Sequence, residues 1–296
     1  MPVAASVARA ARPNFLILTP VCLFPALAAA WSAGYRPDVF IVVLIIVAGL
    51  LAHAAVNWLN EWHDYSSGLD LTTRRTPFSG GSGALPAVPE AARAVLLAGL
   101  IGLSLSALAG IYLVIRSGPG LLIPGLAGIA LVLAYTAWIT RRPLLCLIAP
   151  GLGFGPVMVA GAYYALTGSY SATILVASLT PMFLVSALLL INQFPDLEAD
   201  QQFGRRHLPI LMGRQNAAWV FATLVFLAYA APLLGAVAGI LPNMAALVLI
   251  PAPVAALVAW RAVKHADQPQ ALVPWLGLNV ATLMLTIVLL GIGLLF

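Results

Sequence analysis

Two short stretches hold most of the acidic side chains of this chain: NEWHDYSSGLD at residues 60–70 and NQFPDLEAD at 192–200. Of nine Asp and Glu in 296 residues, Glu61, Asp64 and Asp70 lie in the first and Asp196, Glu198 and Asp200 in the second. His53, Asn57, Asn60 and Asp64 follow one another at steps of four, three and four, and Asn192, Asp196 and Asp200 at steps of four. Such steps place side chains on one face of a helix. Each series therefore forms a polar stripe wherever the helix continues, and Glu198 points elsewhere. Pro195 deletes a helical N–H, so the second helix is expected to break or restart beside it.

Carboxylate and amide oxygens are hard ligands that suit Mg²⁺, which commonly binds through a few protein carboxylates plus substrate phosphate oxygens. Facing carboxylates alone repel a diphosphate, and a bridging divalent cation reverses the sign of that interaction. Arginines complete the grip with planar, charge-assisted hydrogen bonds. Arg141, Arg142 and Arg205 are the candidates for that role, while Arg74, Arg75 and Arg206 read equally well as topology charges. The chemistry indicated is a metal–diphosphate site.

The elements that carry these residues belong to a membrane. The chain is 62% hydrophobic and 8% charged, whereas about a quarter of a soluble domain is charged. Its apolar runs approach or exceed the roughly 20 residues that cross a bilayer. The reading is an all-α, polytopic membrane protein forming one domain over residues 1–296. Nine helices are expected, at about 14–34, 39–60, 92–114, 120–139, 144–166, 172–193, 215–237, 243–262 and 271–294. With nine spans, twelve of the fourteen Lys and Arg residues fall on one side and only Arg36 and Arg116 on the other. Basic residues mark the cytoplasmic face, so the N-terminus is expected there, together with two long connections at 61–91 and 194–214. An apolar diphosphate ester with its tail in lipid is the ligand that such a site fits. The basic balance reports topology rather than nucleic acid. Cys22 and Cys146 lie in apolar runs and imply neither a disulfide framework nor a zinc site. A transporter is the rival reading, since intramembrane carboxylates also mark ion pathways, but transporters gather charge near the midplane and here the acids collect at one face.

These residues resemble the UbiA superfamily of intramembrane prenyltransferases. Asn60, Asp64, Gly68 and Asp70 reproduce an Asn-x-x-x-Asp-x-x-x-Gly-x-Asp spacing similar to the naphthoate-type, menaquinone-forming branch. Asp196 and Asp200, followed by Gly204 and Arg205, resemble the second family motif. RPNFLILTP, TPFSGGSGALP and the stretch from YTAWITRRPL to GLGFGPVMVAGAYYALTG are also similar, so the resemblance covers nearly the whole chain. Glu61 stands where many members have Asp. Gln193 and Pro195 replace an Asn and an Arg common in quinone-forming members, a difference that bears on the acceptor more than on the diphosphate site.

The resemblance implies nine helices around a central cavity open sideways to lipid, and Mg²⁺-dependent prenyl transfer from an isoprenyl diphosphate to an aromatic acceptor. The naphthoate-like stretches favour 1,4-dihydroxy-2-naphthoate in menaquinone biosynthesis; 4-hydroxybenzoate, a porphyrin or chlorin, or a lipid alcohol are the alternatives. A prokaryotic cell membrane, with the active site on its cytoplasmic side, is the implied location. Asp64 and Asp196 are then the principal metal ligands, with Asn60, Asp70, Asn192 and Asp200 completing the shells. Arg141, Arg142 and Arg205 hold the diphosphate, and His53, Asn57 and Tyr135 contact the acceptor. Tyr135, Trp138, Tyr163 and Tyr164 are candidates to stabilise positive charge through their ring faces. The Gly- and Ser-rich run SGGSG at 79–83 suits a closing lid or a plain linker.

Overall fold

The computed structural model describes residues 1–73 and 75–296, so Arg74 lies outside the described residues. Within them the chain is helical, with no strand. Six helices are long and apolar enough to cross a membrane: Val39–Ser67, Pro89–Ser117, Pro143–Thr167, Ala172–Asn192, Leu208–Val237 and Pro269–Gly293. Two further pairs, Val3–Leu16 with Leu18–Ser32 and Asn243–Leu249 with Ala252–Lys264, are bent by 41° and 43° and raise the number to eight if each pair is one span. The segment expected at 120–139 contains a shorter helix, Leu122–Ala134, about 20 Å long. That is less than the roughly 30 Å of a hydrocarbon core. The protein is an integral membrane protein by these helices and their composition.

The helices pack through small side chains, as close backbone approach in lipid requires. Ala26, Ala28, Ala29 and Ala30 are buried on Leu18–Ser32, which packs against Pro269–Gly293. Gly155 lies against the Ala172–Asn192 segment, where an added Cβ would come within 2.5 Å of the Ser178 carbonyl oxygen. Only glycine permits that contact. Around it the chain winds as a π-helix over Gly153–Ala160, with Pro150 just before it and Pro156 inside it, whose missing N–H groups release the ordinary helical ladder.

Two helix boundaries differ from expectation at the polar ends, and a third helix breaks beside Pro195 as expected. The helix expected to stop near residue 60 runs on to Ser67 and ends at Gly68, whose φ of 88° is the left-handed conformation that closes helices. The sequence NEWHDYSS is polar yet compatible with a helix, so loss of apolarity marked the membrane boundary rather than the helix end. The connection to the next span therefore starts at Gly68, and it holds two short helical turns, Leu69–Thr72 and Ala84–Ala87. The Leu179–Asn192 helix stops at Asn192, turns through Gln193–Asp196, and restarts as Leu197–Gln202. Pro195 sits inside that turn, as its missing N–H requires. The next helix starts at Leu208 rather than 215 and is kinked at Gly213, with φ 79° and ψ 160°.

Candidate active site

A cavity of about 520 Å³ runs into the helical bundle, and one end of it is polar. Asn60, Asp64 and Asp70 reach it from the first acidic stretch; Asn192, Asp196 and Asp200 reach it from the second. The two stretches meet. The guanidinium of Arg205 donates to Asp64 Oδ1 and, at 2.8 Å, to Asp200 Oδ1, so one cation bridges both. The backbone N–H of Gly80 donates to Asp196 Oδ2 at 2.9 Å, which ties the connection after the first stretch to the second.

Because the Val39–Ser67 helix continues, His53, Asn57, Asn60 and Asp64 all line this cavity. Asn60 donates from Nδ2 to Asp64 Oδ2 at 3.0 Å and to Thr136 Oγ1 at 3.2 Å. Deeper in, His53 pairs its Nδ1 with the Thr19 hydroxyl at 2.9 Å and stands edge-on to Phe154. Asn57 donates to the carbonyl of Ala11 at 2.9 Å, and so carries the chain just before Arg12. Tyr135 lines the cavity beside these groups. Below the polar end the walls are apolar. The lining of the long helix alone extends from Ile45 to Asp64, a rise of about 28 Å.

The acids are not fully neutralised. Asp200 Oδ2 pairs with His207 Nε2 at 2.8 Å, so both oxygens of Asp64 and both of Asp200 have partners. Asp70 Oδ2, Asp196 Oδ1 and Asn192 Oδ1 are buried with none. Burial, then repulsion from Glu61 and Asp64, pushes the Asp70 carboxyl up to about 7. Burial, then Asp200, pushes Asp196 up to about 7, against the opposing bond from Gly80. Buried acceptors without donors are costly. Three hard oxygens facing one cavity, two of them on carboxylates, match the donor set of a divalent cation such as Mg²⁺. Among the described residues no three acidic, His or Cys side chains converge as a preformed cation site.

The SGGSG run lies over the polar end. Gly80 and Gly81 line the cavity, and Gly81, at φ 74°, lies so close to Asp70 that a Cβ there would come 2.8 Å from its Oδ1. Ser82 bonds Glu61 through its backbone N–H at 3.0 Å and through its hydroxyl. Glu61 is fully buried and also accepts from Arg12 Nη2 at 3.3 Å. Arg12, which also donates to Asn60 Oδ1 at 3.2 Å, is the one non-glycine residue at positive φ among the described residues. That left-handed conformation costs an L-residue roughly 1–2 kcal/mol.

Several sequence candidates lie elsewhere. Arg141 and Arg142, expected to hold diphosphate, are exposed and do not line the cavity; Arg142 stacks over Trp138 at 5.6 Å. The turn there buries Ile139 and Thr140 and so directs the two arginines outwards. Tyr163 is buried in the core, Tyr164 packs on Tyr170, and Trp138 is half exposed, which leaves Tyr135 as the cavity's tyrosine among the four aromatic candidates. Glu198 is exposed and pairs with Arg214 at 2.7 Å, facing away from the site. Arg206 is exposed, and Arg75 is exposed with a long bond to the Asp70 carbonyl. His207, Arg12 and the Gly80 N–H reach the site without having been singled out. His207 follows Asp200 by seven residues, but the helix ends at Gln202 between them, so helical spacing does not account for their contact.

Residues 22–283 match the UbiA prenyltransferase family. The chain belongs to that family. It is a prenyltransferase, and the relatives it matches lie in the branch its acidic motifs resemble. It is 27% identical over 226 residues to the 1,4-dihydroxy-2-naphthoate octaprenyltransferase of Bacillus subtilis, covering 74% of this chain and 69% of that one. It is 24% identical over 262 residues to the 2-carboxy-1,4-naphthoquinone phytyltransferase of Synechocystis, covering 86% and 80%. The fold matches that of a UbiA homolog from Archaeoglobus fulgidus bound to GPP and Mg²⁺, with a TM-score of 0.63 and 13% identity over 96% of this chain and 99% of that one.

Proposed function

We propose that this UbiA-family enzyme transfers a prenyl group from an isoprenyl diphosphate to an aromatic acceptor, 1,4-dihydroxy-2-naphthoate, with Mg²⁺ as cofactor. The observation that carries the reading is the meeting of the two acidic stretches at the polar end of an otherwise apolar cavity. The naphthoate-directed relatives support the acceptor, and the Mg²⁺- and GPP-bound homolog supports the donor and the metal.

Asp70, Asp196 and Asn192 would hold the cation through their unpartnered oxygens, with Asp64 and Asp200 beside them as further ligands. Bound there, Mg²⁺ supplies the positive charge that a departing diphosphate needs. Arg205 and Arg12 line the cavity, and Arg205, beside the acids, would meet the phosphate oxygens through planar charge-assisted hydrogen bonds. The Gly80 N–H and its neighbours in the SGGSG run close the polar end against water. Exclusion of water matters because the allylic carbon becomes electron-poor as its C–O bond breaks, and water would capture it. Tyr135 lines the cavity, and a π-face stabilises adjacent positive charge. His53, with Nδ1 held by Thr19, presents Nε2 as a proton acceptor for an acceptor hydroxyl. The donor's tail lies along the apolar wall from Asn57 towards Ile45.

Read as nine spans, with the Leu122–Ala134 segment as the fourth, the chain fits the distribution of basic residues, and on that reading the acidic end faces the cytoplasm of a prokaryotic cell. The test is direct. Purified protein receives labelled geranylgeranyl or longer polyprenyl diphosphate, Mg²⁺, and separately 1,4-dihydroxy-2-naphthoate, 4-hydroxybenzoate, a chlorin and a lipid alcohol. Prenylated naphthoate as the dominant product supports the reading; turnover confined to another acceptor overturns the acceptor assignment, and flux without turnover overturns the enzyme.

A further inference from the structure

Glu61 is the buried carboxylate that the proposed chemistry leaves unused. It follows Asn60 directly, yet it does not line the cavity, because one residue along a helix turns the side chain away from the Asn60–Asp64 stripe. It is nonetheless fully buried, and its oxygens are all engaged. Oε2 accepts from Arg12 and from the Ser82 N–H, and Oε1 accepts from the Ser82 hydroxyl. These partners lie on two separate segments, the N-terminal turn and the run over the cavity, so Glu61 joins both to the long helix. Arg12 opposes the charge of Glu61, which nonetheless adds to the repulsion felt by Asp70.

The run held by Ser82 bears the two groups that touch the acids, the Gly80 N–H on Asp196 and Gly81 against Asp70. On the other side, Arg12 reaches from Glu61 to Asn60 Oδ1, and its Nε is buried without a partner. We propose that Glu61 is a positioning residue whose carboxylate fastens the SGGSG run and Arg12 to the helix carrying Asn60 and Asp64, and so sets the seat of the diphosphate. Shortening or neutralising Glu61 frees the run and leaves the acids in place. The effect reaches the donor through Gly80 and Gly81, and leaves the acceptor pocket at His53 unaltered.

This inference rests on the prenyl-transfer reading, and one of its two measurements does not depend on activity. Glu61→Gln, Glu61→Asp and Ser82→Ala are compared with wild type in detergent or nanodiscs. Limited trypsinolysis is followed at the bond after Arg75, which adjoins the run. Cleavage about tenfold faster in Glu61→Gln is expected, the size of one lost charged hydrogen bond. Steady-state kinetics should show KM for the prenyl diphosphate raised about tenfold and KM for the acceptor unchanged. In Ser82→Ala the same changes should recur at smaller size, and Glu61→Ala combined with Ser82→Ala should lose no more than Glu61→Ala alone. Unchanged cleavage and unchanged donor KM in folded Glu61→Gln overturn the inference. An equal rise in both KM values also overturns it, since general misfolding moves both. If wild type transfers no prenyl group at all, the functional reading falls, while the cleavage result still decides whether Glu61 holds the run.

Discussion

Arg205 is the residue whose replacement tests the electrostatics of the site most sharply. Its guanidinium bridges Asp64 and Asp200, whose side chains are 8% and 4% exposed, while its own is 18% exposed. Replacing it with Ala leaves two nearly buried carboxylates without their counter-charge, a loss that typically costs about 3–5 kcal/mol when one partner of a buried pair is removed. A divalent cation at about a hundred times its dissociation constant returns about 2.7 kcal/mol to the folded state. In wild type Arg205 already neutralises Asp64 and Asp200, so the stabilising effect of the cation is smaller; in Arg205→Ala those carboxylates have no counter-charge. The assay is unfolding in detergent with and without saturating MgCl₂, for wild type and variant. Without metal the variant should be the less stable by several kcal/mol, and Mg²⁺ should recover more than half of that difference. Prenyl transfer should nevertheless stay low, since the diphosphate has lost its arginine. Equal Mg²⁺ stabilisation of both proteins, or a metal-free variant as stable as wild type, would refute the picture of Arg205 as a counter-ion held in place of the metal.

Three further outcomes follow from the same geometry. Gly81→Val places a branched side chain at φ 74° and against Asp70; it should cost at least about 1–3 kcal/mol and most of the transfer rate, measured by unfolding and product formation. Gly110 and Gly125 line the apolar part of the cavity with open space where a Cβ would stand. Gly110→Phe or Gly125→Phe should lower turnover of long polyprenyl diphosphates more than that of geranyl diphosphate, read as a changed product ratio by mass spectrometry. Glu198→Ala removes a pair whose carboxylate is 65% exposed, and such surface pairs contribute about 0–1 kcal/mol, so activity should stay within about twofold of wild type.

The two acidic stretches and the membrane class were readable because charge is scarce in this chain and every clustered carboxylate stands out. Helical periodicity then placed His53, Asn57, Asn60 and Asp64 on one face, and that face lines the cavity because the Val39–Ser67 helix does not end where its apolarity ends. Periodicity failed where the chain turns. Asn192, Asp196 and Asp200 reach one cavity although the helix breaks between them, so their common position comes from the turn at Pro195 and not from the spacing that first drew notice. Arg141 and Arg142 looked like phosphate ligands by type alone, and a short turn that buries Thr140 sends them outwards. Arg12 looked like a topology charge, and only the fold of the N-terminal turn carries it back to Asn60 and Glu61. Residues whose role depends on a turn or on a partner dozens of positions away leave no periodic trace.

The measurement closest to the heart of the account is transfer from a labelled polyprenyl diphosphate by wild type, Asp64→Asn and Asp196→Asn, each with Mg²⁺ and with EDTA. Asn keeps the shape of each side chain and removes one charge from each half of the site. Product should form in wild type with Mg²⁺ alone, and both variants should fall by at least about a hundredfold while remaining folded, as loss of a group that stabilises developing charge does. Undiminished transfer in either folded variant, or full wild-type turnover in EDTA, would contradict it.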